Sequence, residues 1–283
     1  MNQFPIFVDA GKGHVAAMLT VPEAEPRGLV VSLAGTGRVN VIGSTLCAHL
    51  SRRVAERGLA SVRLDYSGVG DSPGHVSSWT PSDVGEAVCQ ARAVLAESME
   101  ILGVTRFAVV GTCYGTRVAL SLVPDRQCVG AVCLALPILD YGGFSRVTRK
   151  VGQRKAFSAL RSNPLVRRLT NPLRSSVRAR RPAAPVVAAF DCLERSRITF
   201  LYGQDPWEDH YDRQVQDVLD RLLAALPPER RGRFELRMLP WGPLTTFDIL
   251  SPADKEAVLE VVVPLVCATF EEVGCLPAAV GAA

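Results

Sequence analysis

Six short apolar runs recur along the chain with helical patterns between them, and this alternation constrains the fold more than any other feature. The runs are GLVVSLA (28–34), LASVRLD (59–65), RFAVVGT (106–112), VGAVCLALPIL (129–139), RITFLYG (197–203) and RFELRML (233–239). They are largely apolar throughout, which predicts a parallel sheet buried on both faces by helices, an α/β architecture. Residues 44–57 place Leu46, Leu50 and Val54 at spacing four and stop at Gly58, the pattern of a helix with one buried face. Residues 81–102 predict a second helix, with Thr80 as cap, Pro81 in the first turn and Val88, Ala91, Val94 and Leu95 facing inward. No internal repeat is visible.

With 48% hydrophobic and 21% charged residues, the 283-residue chain has a globular composition, which excludes disorder, collagen and coiled coil. Length alone leaves open whether it is one domain with an insertion or two domains. A net charge of +4 is too weak as a total to imply a nucleic-acid binder, but its distribution is uneven. Between Asp140 and Asp191 there is no acidic residue, while Arg146, Arg149, Lys150, Arg154, Lys155, Arg161, Arg167, Arg168, Arg174, Arg178, Arg180 and Arg181 supply twelve positive charges. The remainder holds 20 basic against 28 acidic residues, so an acidic body carries a basic insertion.

The eight cysteines (47, 89, 113, 128, 133, 192, 267 and 275) are scattered and form no C-x-x-C pair, so neither a zinc site nor a disulfide framework is expected. MNQFPIFVDAGKG lacks the basic region and apolar core of a signal peptide, and the longest apolar stretch, near 129–139, is too short to span a bilayer. The expectation is a soluble protein of a reducing cytoplasm, with no metal, cofactor or membrane association.

The run 106–112 is followed by Gly111, Thr112, Cys113, Tyr114, Gly115 and Thr116, and then by the helix-compatible RVALSLV. Strand, G-x-nucleophile-x-G turn and helix make a nucleophile elbow, in which the central side chain is held on a strained bend. Helix onset just after Cys113 aims N–H groups and the positive dipole end at its sulfur, favouring a thiolate. The plainer alternative is a small buried hydrophobe in a chance G-x-C-x-G.

These residues resemble the α/β-hydrolase superfamily, with small esterase- and thioesterase-like members as the nearest pattern. LAGTG (33–37) falls where that family places its oxyanion loop, and RLDYSGVGDSPG (63–74) is similar to its R-x-D-x-x-G-x-G-x-S loop. LYGQDPW (201–207) resembles the late strand whose following turn carries the acid, here Asp205. The resemblance spans residues 28–265 and implies an oxyanion hole from the N–H of Tyr114 with Thr36 or Gly37. A phosphate-loop reading of residues 35–37 lacks both G-x-x-x-x-G-K-[ST] and G-x-G-x-x-G.

The chain departs from the family at two positions. Cys113 replaces the usual serine, as in some dienelactone hydrolases and acyl-transferring relatives. LPWGPLTTF (239–247) resembles the G-x-x-H-T-F turn, but Thr245 stands at the histidine position. Four histidines remain. His14 lies in an N-terminal hairpin-like stretch, His49 inside a helix, and His75 after the GDSPG loop. His210, five residues beyond Asp205, is the best substitute base, provided it comes within hydrogen-bond reach of Cys113. Asp140 is an alternative acid.

Serine without a base is nearly inert, whereas a thiol of pKa ~8.5 is already partly ionised at neutral pH. Cys113 can therefore be acylated by a thioester without an imidazole, while water attack on the acyl-enzyme stays slow. The residues favour acyl transfer or cyclisation over efficient hydrolysis. Two other readings are a conventional hydrolase with a displaced histidine and a non-catalytic protein that binds an acyl ligand or a partner.

The domain reading is a hydrolase core of residues 1–144 and 191–283 with a basic helical lid insertion at 145–190. Such a lid could be merely solvated; the sharper expectation is that Arg167 and Arg168 dock an anionic thioester donor, coenzyme A or an acidic acyl carrier protein. With Phe157 and Phe190 as its only Phe, and no recognisable motif, nucleic acid is not the expected partner.

Overall fold

The computed structural model describes residues 1–11, 13–33, 45–74, 84–113, 115–139, 181–204, 211–242, 244 and 251–276. Its strands are β1 (Asn2–Asp9), β2 (His14–Val21), β3 (Leu29–Leu33), β4 (Ala60–Leu64), β5 (Phe107–Thr112), β6 (Cys128–Leu134), β7 (Arg197–Tyr202) and β8 (Phe234–Met238). The helices among the described residues are α1 (Thr45–Ala55), α2 (Gly85–Leu102), α3 (Gly115–Leu122), α4 (Ala184–Phe190), α5 (Arg213–Ala224), α6 (Pro228–Arg231) and α7 (Pro252–Glu271).

One eight-stranded sheet has the order β1-β2-β4-β3-β5-β6-β7-β8. The hairpin β1–β2 joins β4 antiparallel, and every pairing from β4 to β8 is parallel. Val31 of β3 lies opposite Val62 on one side and Val109 on the other, which centres the sheet on fully buried strands. From β3 the chain crosses to β4 on one flank and then to β5 on the other. The C-terminal ends of β3 and β5 therefore bound the switch point where open α/β sheets form their crevice.

Two apolar layers cover the sheet. Phe107 and Val109 of β5 pack with Val94, Leu95, Val118 and Val186 on one face, while Ala108 and Val110 pack with Leu50, Val54, Val262 and Phe270 on the other. In α1 the expected Leu46, Leu50 and Val54 are indeed buried. Helix α7 starts with Pro252 after Ser251, whose hydroxyl accepts from the Asp254 N–H at 3.1 Å, and α5 is capped by Asp212, whose Oδ1 accepts from Gln214 and Val215. Helix α4, the last part of the segment expected to belong to the insertion, buries Val186, Ala189 and Phe190 against the core.

The parallel expectation holds for all six runs, with two differences in boundaries. The run 129–139 ends as a strand at Leu134, because Ala135 adopts φ 53 and turns the chain out of the ladder; Leu136, Ile138 and Leu139 stay buried without strand pairing to β7. Helix α2 begins at Gly85 with Val84 at its cap, and the expected cap Thr80 and first-turn Pro81 both lie outside the described residues.

Candidate active site

The turn at Cys113 follows from packing. A Cβ added at Gly111 would meet the Thr116 Cα at 2.6 Å and the Thr116 N at 2.9 Å, so α3 can fold back against β5 only over a glycine. The reversal leaves Cys113 at φ 49, a left-handed conformation rare for a residue with a side chain. The Cys113 N–H donates to the Leu134 carbonyl at 2.8 Å, pinning the turn to the end of β6. On the other side the Cys113 carbonyl accepts from the Thr116 N–H at 3.1 Å and from the Thr116 hydroxyl, which links the turn to the first turn of α3.

The Cys113 side chain is half-buried, which excludes a sealed apolar interior. All eight cysteines are among the described residues, and none is in a disulfide. The contrast with the core thiols is physical. Burial pushes the Cys128 thiol up to about 12, and pushes Cys133, Cys192 and Cys267 upward as well, so these sulfurs are held protonated. Cys113 stands instead at the C-terminal edge of the central strand, before the N-terminus of α3.

The loops after β7 and β8 touch beside this edge. Gln204 N–H donates to the Trp241 carbonyl at 3.0 Å, and a Cβ at Gly242, φ 147, would lie 2.8 Å from the Gly203 Cα. These segments lead to Asp205 and Thr245. Both of those residues lie outside the described ones, as do Tyr114, Thr36, Gly37, His210, His75, Asp140, Arg167 and Arg168.

Two histidines are described, and both are exposed. His14 opens β2 opposite Asp9, three strand spacings or about 14 Å across the sheet from β5, which puts it beyond hydrogen-bond reach of Cys113. His49 faces solvent on α1 while Leu46 and Leu50 face the sheet.

The loop after β4 is held by its own polar groups. Buried Asp65 accepts from the Asp71 N–H at 3.4 Å through its carboxylate, while the Ser72 hydroxyl donates to the Asp65 carbonyl and accepts from Ala16 N–H at 2.8 Å. Ser67 and Gln90 exchange hydrogen bonds of 3.1 and 2.8 Å. This resemblance-bearing stretch thus braces the sheet.

Beside Thr112, Leu33, Leu46, Cys47, Leu134 and Val262 help to line an apolar cavity of about 10 Å³, room for a single water and not for an acyl chain. Among the described residues no group of three His, Cys, Asp or Glu side chains could hold a metal ion, and no helix is long and apolar enough to cross a membrane.

Arg117 and Ala135 belong to no motif that the sequence displays. Arg117 is buried in α3, and Ala135 is, with Cys113, one of the two non-glycine residues at positive φ among the described residues, directly after the carbonyl that binds Cys113. Arg117 heads the apolar run RVALSLV, where a lone charge ordinarily marks the solvent face of a helix.

A strained thiol at the head of a helix, on the central strand of a mainly parallel sheet, defines an α/β-hydrolase-type architecture. Comparison with solved structures agrees. The chain is similar to an esterase of Pyrococcus furiosus (TM-score 0.60, 13% identity, covering 94% of this chain and 91% of that one) and to a proline iminopeptidase of Mycobacterium smegmatis (0.59, 13%, 95% and 100%). It is also similar to an α/β serine hydrolase without lid from Xanthomonas campestris (0.58, 14%, 98% and 97%). The chain has the α/β-hydrolase fold. No protein-family model matches it, and neither does any curated protein.

Proposed function

We propose that the protein is an enzyme whose nucleophile is Cys113, acting on acyl thioesters by acyl transfer or cyclisation, with hydrolysis as a weak side activity. The observation that carries this reading is the half-buried thiol at φ 49 between β5 and α3. The Cys113 thiolate attacks the thioester carbonyl, and the negative oxygen is received by the N–H of Tyr114 with Thr36 or Gly37 as second donor. Collapse expels the donor thiolate and leaves an S-acyl Cys113. An incoming thiolate, or an amine that then loses its proton to solvent, takes the acyl group and regenerates the thiolate.

With Thr245 at the family's histidine position, water lacks an imidazole to activate it there, which supports transfer over hydrolysis. Arg167 and Arg168 are proposed to dock the phosphates of coenzyme A or an acidic carrier protein. The eight unbridged cysteines support a reducing, cytoplasmic setting.

A second reading is favoured by the structural neighbours, an esterase and a serine hydrolase among them: ordinary hydrolysis with Asp205 and His210 serving Cys113. Incubation with octanoyl-coenzyme A followed by intact-mass and peptide mapping separates the two. The transfer reading expects a lasting octanoyl adduct on Cys113 that discharges when N-acetylcysteamine is added and is absent in Cys113→Ala. An adduct that turns over rapidly in buffer, and slows in His210→Ala, would favour hydrolysis. Absence of any adduct with both coenzyme A and N-acetylcysteamine thioesters would remove covalent chemistry altogether.

A further inference from the structure

Arg117 stands in the first turn of α3 and is only 4% exposed, among the buried Val118, Ala119 and Leu120. Its Nε donates to the Pro137 carbonyl at 3.1 Å, and a terminal nitrogen donates to the Leu139 carbonyl at 2.7 Å. The two carbonyls interleaved with these are also engaged: the Tyr202 hydroxyl donates to Leu136 O at 2.8 Å and Ala183 N–H to Ile138 O at 2.7 Å. Four successive carbonyls are therefore satisfied, two of them by one side chain borne on the helix that starts at the Cys113 turn. Burying a guanidinium is costly unless its donors meet acceptors, and a hydrophobic side chain would fill the space without that cost. What a hydrophobe would lack is direction, because the planar fork fixes where both carbonyls lie.

The neighbouring strain fits the same purpose. Leu134 O accepts the Cys113 N–H, Ala135 then turns at φ 53 while its N–H donates to Leu201 O at 2.8 Å, and the bonded segment 136–139 follows. A left-handed alanine persists only where its surroundings impose it. The bonds on either side of Ala135 do so, and Arg117 supplies two of them.

We propose that Arg117 is a positioning residue, which by tying the nucleophile helix to residues 136–139 sets the course of the chain leaving β6, whose Leu134 carbonyl holds the Cys113 turn, and thereby the binding of the acyl donor. This rests on Cys113 acting as the nucleophile. Arg117 acts through the backbone it holds and takes no part in the chemistry.

The test compares Arg117→Met with Arg117→Lys, which keeps a donor at similar reach. With S-octanoyl-N-acetylcysteamine as probe and rates normalised to titratable Cys113, Arg117→Met is expected to raise KM at least fivefold with kcat within twofold, and Arg117→Lys to restore most of the loss. Hydrogen exchange in residues 135–139 should accelerate at least tenfold in Arg117→Met, with β3 and β5 unchanged. Unchanged KM and exchange in a folded Met variant would overturn the proposal, as would a loss of titratable Cys113 that accounts for the whole loss of rate. Should Arg117→Met not fold, Arg117→Gln, too short to serve both carbonyls, takes its place under the same criteria. If the wild type forms no S-acyl Cys113, the nucleophile reading fails on its own. Exchange at 135–139 then still decides the anchoring, and the rate of Cys113 alkylation by iodoacetamide decides the positioning: a threefold change sustains it and no change overturns it.

Discussion

A left-handed backbone at a residue with a side chain stores strain, and at Cys113 this yields a sharp comparison. Glycine accepts φ 49 without steric penalty, whereas alanine keeps the penalty and loses the sulfur. Cys113→Gly is therefore expected to be more stable than Cys113→Ala by about 1 kcal/mol in urea unfolding, the reverse of the order inside a helix. Equal stabilities would show that the turn carries no strain. The turn itself was legible in G-T-C-Y-G because glycines mark where backbones must approach, and a Cβ at Gly111 would indeed collide with Thr116. Arg117 was not legible, since a charged residue in a helix normally reads as a solvent-facing one, and only the carbonyls of Pro137 and Leu139 reveal why this one is inside. The buried sulfurs make a separate statement. Burial raises the Cys128 pKa from 9.0 to about 12, so the folded protein holds this proton more tightly than the unfolded chain. The associated stability is present below pH 9 and is lost as pH rises through about 12, with a slope of about 1.4 kcal/mol per pH unit between these values. Urea titrations from pH 8 to 11 should show a shallower decline in Cys128→Ala than in the wild type; parallel declines would mean that Cys128 does not contribute.

Among the elements, β6 shows best what pattern can and cannot convey. Its apolar run continues to Leu139, and hydropathy has no means of distinguishing the paired residues up to Leu134 from the buried segment beyond, because both are dry. The boundary is set by the backbone turn at Ala135 and the carbonyl partners that follow it. The same limit applies to the entry of β6, where the register shifts opposite Phe107 and Ala108, with Cys128 and Gly130 as their partners. There Gly130 permits α7 to lie close on the sheet: an added Cβ would sit 2.6 Å from Thr269 Cγ2 and 2.7 Å from the Arg197 carbonyl of β7. Gly130→Ala should cost about 1–3 kcal/mol by overpacking. Because one of the two obstacles is backbone, removing the Thr269 methyl with Thr269→Ser should recover only part of that loss. Full recovery in the double variant, measured by chemical denaturation, would place the whole clash on the threonine.

Across the whole molecule, charge is divided more sharply than a net +4 conveys: twelve basic residues and no acid lie between Asp140 and Asp191, against 20 basic and 28 acidic residues elsewhere. A partner steered by this division must be an anion, because the segment's charges add while the rest of the chain repels it. Coenzyme A, with several phosphate charges, and the neutral N-acetylcysteamine thioester of the same acyl group share the reacting bond and differ in charge. Their comparison therefore isolates electrostatics from chemistry. Reversing Arg167 and Arg168 to glutamate changes the local charge by four and should weaken octanoyl-coenzyme A binding at least tenfold at 50 mM salt. The effect should shrink toward unity near 0.5 M, where the screening length falls to about 4 Å. The neutral thioester should react with Cys113 equally well in both proteins at either salt concentration. If coenzyme A thioesters bind with the same affinity at both ionic strengths and in both proteins, the basic segment plays no part in donor capture, and the proposed acylation of Cys113 would have to rest on the turn and the proposed oxyanion donors alone.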